Sequence, residues 1–134
     1  MRLLENRDYY KYTELINEFR KTKFTYNEFC NFINIKDINV WILCNDKDEI
    51  IGSGTILYER KLIHDYGLVS HIEDIVVSQK HRGKEYGKKI INYLIQMARD
   101  NKCYKITLNC NSEVKEFYSK LGFTEHETCM RIDL

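Results

Sequence analysis

A glycine-containing loop is the first of three segments whose residue types and spacing could do chemistry. It runs from Arg82 to Lys88, has glycines at Gly83 and Gly87, and lies between an apolar segment and a helix-like one. A strand that enters a helix through such a loop directs backbone N–H groups and the positive helix end at one point, where phosphate oxygens can bind. The glycine spacing fits neither a P-loop nor a dinucleotide-binding fingerprint. The loop alone therefore predicts an anion site and leaves its ligand open.

A pair of adjacent carboxylates, Glu73 and Asp74, stands in the apolar segment that precedes this loop. Side chains alternate along a regular strand, so one face should carry Ile72, Asp74 and Val76 and the other His71, Glu73, Ile75 and Val77. Two carboxylates inside an apolar strand are costly unless they are hydrogen-bonded or face a ligand. The pair therefore indicates a binding site, and the alternative is a solvated pair on an edge strand.

The third segment, Phe117 to Phe123, is a short aromatic helix that Gly122 should end. We expect the ring of Phe117 to belong to the core. The neighbouring Tyr118 carries a hydroxyl, which could donate a proton in a reaction.

Apolar periodicity and capping signals predict the elements that position these segments. The predicted order is βααβββαβαβ, a mixed α/β layer structure. After the first strand, its elements are a helix that follows Asp8, a helix opened by a capping box at Thr25 to Glu28, strands at Val40–Cys44, Ile50–Tyr58 and Ser70–Ser78, a long helix after Gly87, a strand at Cys103–Asn109, a helix at Ser112–Leu121 and a final strand at Met130–Leu134.

Several details of these elements can be checked directly. Asp8 is the expected N-cap of the first helix, and Gly52 and Gly54 suggest a close backbone approach or a bulge in their strand. The buried face of the long helix should carry Ile90, Ile91, Leu94, Ile95 and Ala98, and that of the short helix Val114, Phe117 and Leu121.

The composition bounds the class of protein. A length of 134 residues suits one domain spanning residues 1–134, and 21 basic against 20 acidic side chains give a net charge of +1, without the basic excess of a nucleic-acid binder. The five cysteines and four histidines show no metal-ligand spacing, so we expect reduced thiols and no metal. No apolar run approaches the ~20 residues of a membrane span, and the N-terminus is too polar for a signal peptide. We therefore expect a soluble cytoplasmic protein.

Together these segments resemble the GNAT superfamily of N-acetyltransferases, in which a strand, a glycine loop and a helix hold the pyrophosphate of acetyl-CoA. The similarity is greatest to the branch that acetylates glucosamine 6-phosphate. The blocks that carry it are Glu59–His64 with Gly67, His71–Ile75, Arg82–Lys88, Cys103–Ile106 and Phe117–Phe123. The resemblance implies a GNAT fold, a mixed and mostly antiparallel sheet flanked by about four helices.

The resemblance also implies a reaction. The acetyl group of acetyl-CoA, the co-substrate, would pass to the 2-amine of glucosamine 6-phosphate, and the product would serve UDP-N-acetylglucosamine synthesis. Direct attack by the amine needs neither a metal nor a covalent enzyme intermediate. A homodimer that shares site residues across its interface is implied as well. The alternatives are a GNAT enzyme for another small amine or amino sugar, or a non-catalytic acyl-CoA-binding module.

Carried over to this chain, the resemblance assigns residues to three roles. The acceptor site would be formed by Lys61, Leu62, Ile63, His64, Glu73, Asp74, Tyr104, Lys105 and Arg131. The acetyl-CoA site would be formed by Ile75, Val76, Val77, Arg82, Gly83, Lys84, Glu85, Tyr86, Gly87, Lys88, Asn109, Tyr118, Ser119 and Lys120. The catalytic set would be Tyr118, which protonates the departing thiolate, with Asn109 and Asp74.

Three positions depart from the family pattern. Glu85 stands at the central glycine of the loop, Asn109 stands where the family has an aspartate facing the amine, and Asp133 stands where a basic residue grips the phosphate. Arg131 lies two residues before Asp133, hence ~6.6 Å away on the same strand face if that segment is a strand. We expect Arg131 to substitute for the missing basic residue.

Overall fold

The computed structural model describes residues 1–134. Its helices are α1 (Tyr9–Phe19), α2 (Tyr26–Ile33), α3 (Tyr86–Asp100) and α4 (Lys115–Ser119). Its strands are β1 (Arg2–Leu3), β2 (Ile38–Cys44), β3 (Ile50–Lys61), β4 (Gly67–Val77) and β5 (Cys103–Thr107). Short 3-10 turns cover Asn6–Asp8, Leu62–His64, Gln79–His81 and Ser112–Val114. No helix is long and apolar enough to cross a membrane.

The strands form one sheet in the order β1-β2-β3-β4-β5. Pairing is antiparallel from β1 to β4, and β5 joins parallel to β4 after the α3 crossover. The expected mixed, mostly antiparallel sheet with four helices is therefore confirmed. The two faces of the sheet bury separate clusters, one against α3 (the α3 face) and one against α1 and α2 (the α1 face). The predicted inward stripe of α3 is confirmed, since Ile90, Ile91, Leu94, Ile95 and Ala98 are all buried.

A β-bulge at Asp74 overturns the simple alternation predicted for β4. Ser53 of β3 pairs with Val76, whereas Thr55 pairs with Glu73, so β4 carries one extra residue. Asp74 has a φ of 49°, in the left-handed region. The extra residue shifts every later side chain to the other face, and for this reason Ile72, Ile75 and Val77 all pack on the α3 face.

The glycines of β3 explain how the strand accommodates this bulge. A Cβ on Gly52 would lie 2.6 Å from the Val76 carbonyl oxygen, and one on Gly54 would lie 2.6 Å from Ile75 Cδ1. Either contact is far closer than van der Waals distance. The expected close approach at these glycines is confirmed, and the bulge lies opposite them in β4 rather than in their own strand.

The two N-terminal helices begin differently. The capping box that opens α2 is confirmed, because Thr25 Oγ1 accepts from the Glu28 N–H at 3.2 Å and Glu28 Oε2 accepts from the Thr25 N–H at 2.7 Å. Asp8 is the N-cap residue of α1, as predicted, but its side chain makes no capping hydrogen bond to the helix. This buried carboxylate instead accepts two hydrogen bonds from the Arg2 guanidinium, at 2.6 and 2.8 Å, because the cation satisfies it better than a helix N–H.

The C-terminal part departs most from prediction. Residues 124–134 form no strand, so the predicted strand at Met130–Leu134 is wrong: the segment pairs with no other strand of its own chain. Helix α4 is also shorter than expected, and Val114 lies before it and is exposed. Phe117 is 37% exposed rather than part of the core. Of the three residues predicted inward, Leu121 packs against the α3-face core.

Candidate active site

A cavity of about 460 Å³ lies where β4, the glycine loop, α3 and α4 meet. Residues predicted for the acetyl-CoA site supply most of its lining, namely Val77, Arg82, Gly83, Glu85, Tyr86, Gly87, Lys88 and Lys120. The structure adds His81, Phe117 and Leu121, which sequence reasoning had not assigned to a site. The three adjoin predicted segments, but no local pattern shows that they face one cavity. We call this space the donor cavity.

The start of α3 favours an anion in the donor cavity. The helix has no side-chain cap at its N-terminus, and the Lys89 N–H is the donor to the Glu85 carbonyl, at 3.0 Å. The amides of the first turn come before this bond, and orphan N–H groups with the helix dipole favour a negative charge. Arg82 and Lys88 add positive charge to the same lining. The residues present therefore fit a pyrophosphate, the group expected from acetyl-CoA.

Glu85 occupies a strained position in this loop. Its φ of 58° lies in the left-handed region, where glycine is favoured and a side chain costs ~1 kcal/mol. This conformation explains in physical terms why the family pattern has a glycine at this position. The Glu85 carboxylate is exposed and accepts a hydrogen bond of 3.2 Å from Lys88 Nζ. Its charge therefore lies beside a cation of the donor cavity.

One edge of β4 is unpaired from the carboxylate pair onward. Pairing between β4 and β5 ends at His71 and Thr107, because β5 stops there. From Glu73 to Val77, β4 is therefore paired only with β3 and free along its other edge. Backbone groups on a free edge can hydrogen-bond to an extended ligand with amide groups. Ile75, Val76 and Val77, which were predicted to pair with the pantetheine arm, lie on this edge.

The two carboxylates lie at the place where the sheet opens. β4 has lost its β5 partner here, so the pair does occupy an edge of the sheet, and both residues are exposed. Partial burial of the Glu73 carboxyl and the negative charge of Asp74 raise the pKa of Glu73. Asp74 lines a second cavity of about 490 Å³ between α1, α2 and β4, whose other walls include Tyr12, Phe19 and Arg20. The bulge thus presents two adjacent carboxylates, and Asp74 is the one that lines this second cavity.

Tyr118 is held by the end of α4. The helix ends in a Schellman motif, because the Phe123 N–H donates to the Tyr118 carbonyl at 3.2 Å and the Gly122 N–H to Ser119 at 3.0 Å. Gly122 has the positive φ, 95°, that this ending requires, so the predicted stop is confirmed. The Tyr118 ring packs against Phe117 and Phe123, with centroids 5.0 and 5.9 Å away.

The chemistry of the Tyr118 hydroxyl follows from this packing. Burial, with smaller effects of Cys110 and Glu73, raises its pKa. A phenol whose pKa lies above its ordinary value, ~10, keeps its proton near neutral pH. The group is therefore protonated near neutral pH and can donate a proton there.

Apart from the carboxylate pair and Arg131, the residues predicted for the acceptor site lie where β3 ends and β5 begins. Lys61 ends β3, and Leu62 and Ile63 follow in a turn with 82% and 86% exposure. The ring of His64 lies 4.8 Å from that of Tyr104 on β5, and the Lys105 ammonium lies 5.9 Å from the Tyr104 ring. The structure thus brings these two segments together within one chain.

The remaining predicted residues are more dispersed. Lys84, Asn109 and Ser119 are exposed and do not line the donor cavity. Arg131 lies in the irregular C-terminal segment, where its Nε donates to Asp133 Oδ1 at 2.7 Å. The argument that places Arg131 on one strand face with Asp133 is wrong, because the segment is not a strand and the two side chains pair with each other.

Helix α1 supports the loop by a contact that no local motif reveals. Glu18 Oε2 accepts from the Gln79 backbone N–H at 2.7 Å, and Oε1 accepts from the Ser78 hydroxyl at 3.3 Å. Gln79 begins the connection between β4 and the glycine loop. Because the partners are 61 residues apart, only the folded chain brings them together.

Comparison with known proteins agrees with this geometry. The model of the acetyltransferase (GNAT) family matches residues 4–123. Glucosamine 6-phosphate N-acetyltransferase of Candida albicans is 34% identical over 112 residues, which cover 82% of this chain and 74% of the relative. The enzyme of that name from Trypanosoma brucei brucei is 32% identical over 139 residues, which cover 100% of this chain and 95% of the relative. The chain spans 49% of a rice relative, to which it is 40% identical.

Solved structures give the same result. A Trypanosoma brucei acetyltransferase superposes with a TM-score of 0.91 at 30% identity, covering 99% of this chain and 97% of that one. Glucosamine-6-phosphate N-acetyltransferase from Arabidopsis thaliana superposes with a TM-score of 0.89 at 31% identity. The superposition covers 98% of this chain and 95% of that one.

Proposed function

The chain belongs to the acetyltransferase (GNAT) family, and we propose that it transfers the acetyl group of acetyl-CoA to the 2-amine of glucosamine 6-phosphate. The product is N-acetylglucosamine 6-phosphate. The observation that carries this proposal is the similarity to the trypanosome enzyme of that name over the whole of this chain, 32% identity with 100% coverage. The donor cavity and the carboxylate bulge lie within the aligned length.

The donor side supports the proposal by its chemistry. Acetyl-CoA supplies a thioester that an amine can attack and a pyrophosphate that needs a cationic, N–H-rich site. The first turn of α3 with Arg82 and Lys88 holds the pyrophosphate. The free edge of β4 from Ile75 to Val77 orients the pantetheine arm through backbone hydrogen bonds, and Lys120 on the cavity wall adds positive charge.

Tyr118 is the proposed general acid. Its half-buried ring packs between Phe117 and Phe123, and its raised pKa keeps the proton available for the departing thiolate. Asn109 lies just beyond β5 and can accept a hydrogen bond from the amine, although an amide cannot take the proton. Asp74 at the bulge supplies a carboxylate that can orient the amine.

The acceptor side is proposed from the cluster at the ends of β3 and β5. About six residues of β4, or ~20 Å, separate Lys61 from Glu73 within one chain. In the proposed homodimer, Lys61, His64, Tyr104 and Lys105 of one copy therefore offer cations and ring surfaces for the sugar phosphate, while Glu73 and Asp74 of the other copy offer acceptors for the sugar hydroxyl and amine groups. No step of this reaction requires a covalent bond to the protein.

A homodimer is part of the proposal. The alternating apolar residues of the C-terminal segment, Met130, Ile132 and Leu134, are all more than 80% exposed, and the outer edge of β5 is unpaired. A segment with this pattern can pair as a strand with a second copy. Sedimentation of the wild type and of Ile132→Lys tests this, and the variant should be monomeric. A monomeric wild type would refute the homodimer.

The cellular location of the enzyme and the pathway that it serves are proposed from its product. We place the enzyme in the cytoplasm, where N-acetylglucosamine 6-phosphate would enter UDP-N-acetylglucosamine synthesis. An enzyme for a different small amine is the second candidate, and the aromatic walls of the Asp74 cavity favour it. A non-catalytic acyl-CoA-binding module is less consistent with the structure, since binding alone needs neither the Tyr118 hydroxyl nor the carboxylate bulge.

The deciding experiment measures release of free CoA thiol from acetyl-CoA. Glucosamine 6-phosphate is the test acceptor, and glucosamine and glucose 6-phosphate are the controls that lack the phosphate or the amine. Turnover with glucosamine 6-phosphate alone is expected. Saturable acetyl-CoA binding without turnover would favour another amine, and no acetyl-CoA binding would refute the donor site as well.

A further inference from the structure

The Asp74 cavity, which measures about 490 Å³ and lies between α1, α2 and β4, is lined mainly by side chains that the proposed sugar reaction does not use. Its apolar lining consists of Tyr12, Ile16, Phe19, Phe24, Phe29 and Phe32. Five of these six residues are aromatic. Such a lining suits a flat apolar group better than a sugar phosphate.

The aromatic rings form a buried floor and an exposed rim. At the floor, Phe29 is 3% exposed, and its ring stacks on that of Phe24 and lies beside that of Tyr12, with centroids 6.2 and 6.0 Å away. At the rim, Phe19 and Phe32 are 55% and 41% exposed. Large apolar side chains that meet water around one cavity are typical of a binding site.

The hydroxyl of Tyr12 belongs to the part of the cavity that faces the bulge. The side chain comes from α1 and is 8% exposed. Burial raises the pKa of Tyr12 to about 12, with Ser53 opposing this shift and the negative charge of Asp74 adding to it. The phenol is therefore protonated near neutral pH, and its oxygen can accept a hydrogen bond from an ammonium group.

The charges of the lining favour a cation. Two carboxylates, Glu28 and Asp74, and one guanidinium, Arg20, line the cavity. Glu28 is already held by the capping box of α2, where its Oε2 accepts from the Thr25 N–H at 2.7 Å. Asp74 is therefore the carboxylate that remains to pair with a ligand, and an ammonium is the group that complements it.

We propose that the Asp74 cavity binds a second class of acceptor, a primary amine that carries an aromatic group, and that the enzyme acetylates it. The aromatic group packs against Phe29 and Phe32, while the ammonium lies between Asp74 and the Tyr12 hydroxyl. This inference rests on the donor half of the proposed function, because acetyl-CoA must supply its thioester along the free edge of β4. Asp74 belongs to that edge.

The transfer to this amine follows the same course as the transfer to the sugar. The ammonium first loses a proton to water, and the nitrogen lone pair then forms a bond to the carbonyl carbon of the thioester. The C–S bond breaks with its electron pair on sulfur, and the thiolate takes the proton of Tyr118. The nitrogen loses a second proton to water, and water returns a proton to Tyr118.

Phenethylamine and ethylamine are matched probes for this acceptor class. They share the primary amine and the two-carbon chain and differ by one phenyl ring. The thiol-release assay at saturating acetyl-CoA gives kcat/KM for each amine and for glucosamine 6-phosphate. If the ring packs in the cavity, kcat/KM for phenethylamine should exceed that for ethylamine about tenfold, as expected for the burial of one ring.

Two variants of the rim locate the aromatic group. Phe19→Ser and Phe32→Ser should each lower kcat/KM for phenethylamine about fivefold, as expected for the loss of one aromatic pair. Both should keep the wild-type value for glucosamine 6-phosphate, which also reports that the variant is folded. Tyr10→Ser is the matched control, since Tyr10 is a 79% exposed ring on α1 that does not line the cavity, and it should leave both values unchanged.

The outcomes separate this inference from the function on which it rests. Equal kcat/KM for phenethylamine and ethylamine, beside turnover of glucosamine 6-phosphate, would overturn the aromatic acceptor alone. Wild-type rates for phenethylamine in both rim variants would overturn the cavity as its site. Turnover of phenethylamine without turnover of glucosamine 6-phosphate would support the inference and refute the sugar acceptor.

Two further outcomes would also overturn the inference. No turnover of any amine would refute the aromatic acceptor and the proposed function together. If the two amines react equally and Phe32→Ser lowers the sedimentation coefficient from that of a dimer to that of a monomer, a second copy of the chain covers the rim instead of a small ligand.

Discussion

Glu18 of α1 accepts a 2.7 Å hydrogen bond from the backbone N–H of Gln79, and this contact joins the helices of the α1 face to the start of the donor loop. Glu18→Ala removes the acceptor and should raise the KM for acetyl-CoA about fivefold, which corresponds to one hydrogen bond of ~1 kcal/mol. The Michaelis constants come from the thiol-release assay. Glu14→Ala, an exposed change on the same helix, is the control and should behave as the wild type. Equal KM values in both variants would mean that the contact does not position the loop.

Glu85 combines a strained backbone with a negative charge beside the proposed pyrophosphate site. Two variants can separate the effects of the strain and of the charge. Glu85→Gly relieves the strain of a φ of 58° and should raise the free energy of unfolding by about 1 kcal/mol. It should also lower the KM for acetyl-CoA, because a carboxylate beside the pyrophosphate is removed. Glu85→Ala removes the charge but keeps the Cβ, so it should lower KM without the gain in stability. An unchanged KM in both would show that the carboxylate points away from the pyrophosphate.

Tyr118→Phe tests the proposed general acid. The phenyl ring preserves the packing against Phe117 and Phe123, so the unfolding temperature should stay close to that of the wild type. Loss of the proton donor should lower kcat by ~100-fold, the low end for general acid catalysis, with little change in KM for acetyl-CoA. Tyr10→Phe is the control, since Tyr10 is 79% exposed and lies on α1, away from α4. A kcat near the wild-type value would exclude Tyr118 as the acid.

Asn109→Asp tests the departure at the end of β5. A carboxylate can pair with the acceptor ammonium and take its proton, which the amide cannot do. We expect kcat/KM for glucosamine 6-phosphate to rise severalfold near neutral pH, measured by steady-state thiol release. A slower variant would instead indicate that the site is adapted to another acceptor.

Asp8 makes stability depend on acid pH. Burial alone would raise its pKa, but the hydrogen bonds from Arg2 and the Glu5 N–H outweigh burial and lower it. A carboxylate whose pKa is lower in the folded state stabilises the fold above its unfolded pKa, ~4, and this contribution is lost as the pH falls through the folded value. Asp8→Asn should cost ~2 kcal/mol at neutral pH, since it leaves a partly buried cation unpaired.

Urea unfolding of this variant at neutral pH and below pH 4 checks the prediction. The difference in free energy of unfolding between the wild type and Asp8→Asn should shrink at the lower pH. Asp46→Asn removes an exposed carboxylate and should have little effect at either pH. A constant difference would show that the Arg2–Asp8 pair does not titrate as expected.

Contiguous segments carried the predictions that the structure confirms. The capping box at Thr25, the stop at Gly122, the inward stripe of α3 and the loop from Arg82 to Lys88 each depend on residues close together in the chain. Their physics is local, because hydrogen bonds to the nearest turn and the periodicity of one helix decide them. The amino-acid sequence was therefore sufficient for most elements, for the family and for the donor loop.

Contacts between distant parts of the chain were decided only by the fold. The bulge at Asp74 depends on how β4 meets Gly54 of β3, and the support of Gln79 depends on Glu18, 61 residues away. The strand expected at Met130–Leu134 had the right alternation but no partner within the chain, and a strand needs a partner to satisfy its backbone. Local patterns reveal which residues suit an element, while pairing register and side-chain contacts follow from the complete three-dimensional packing.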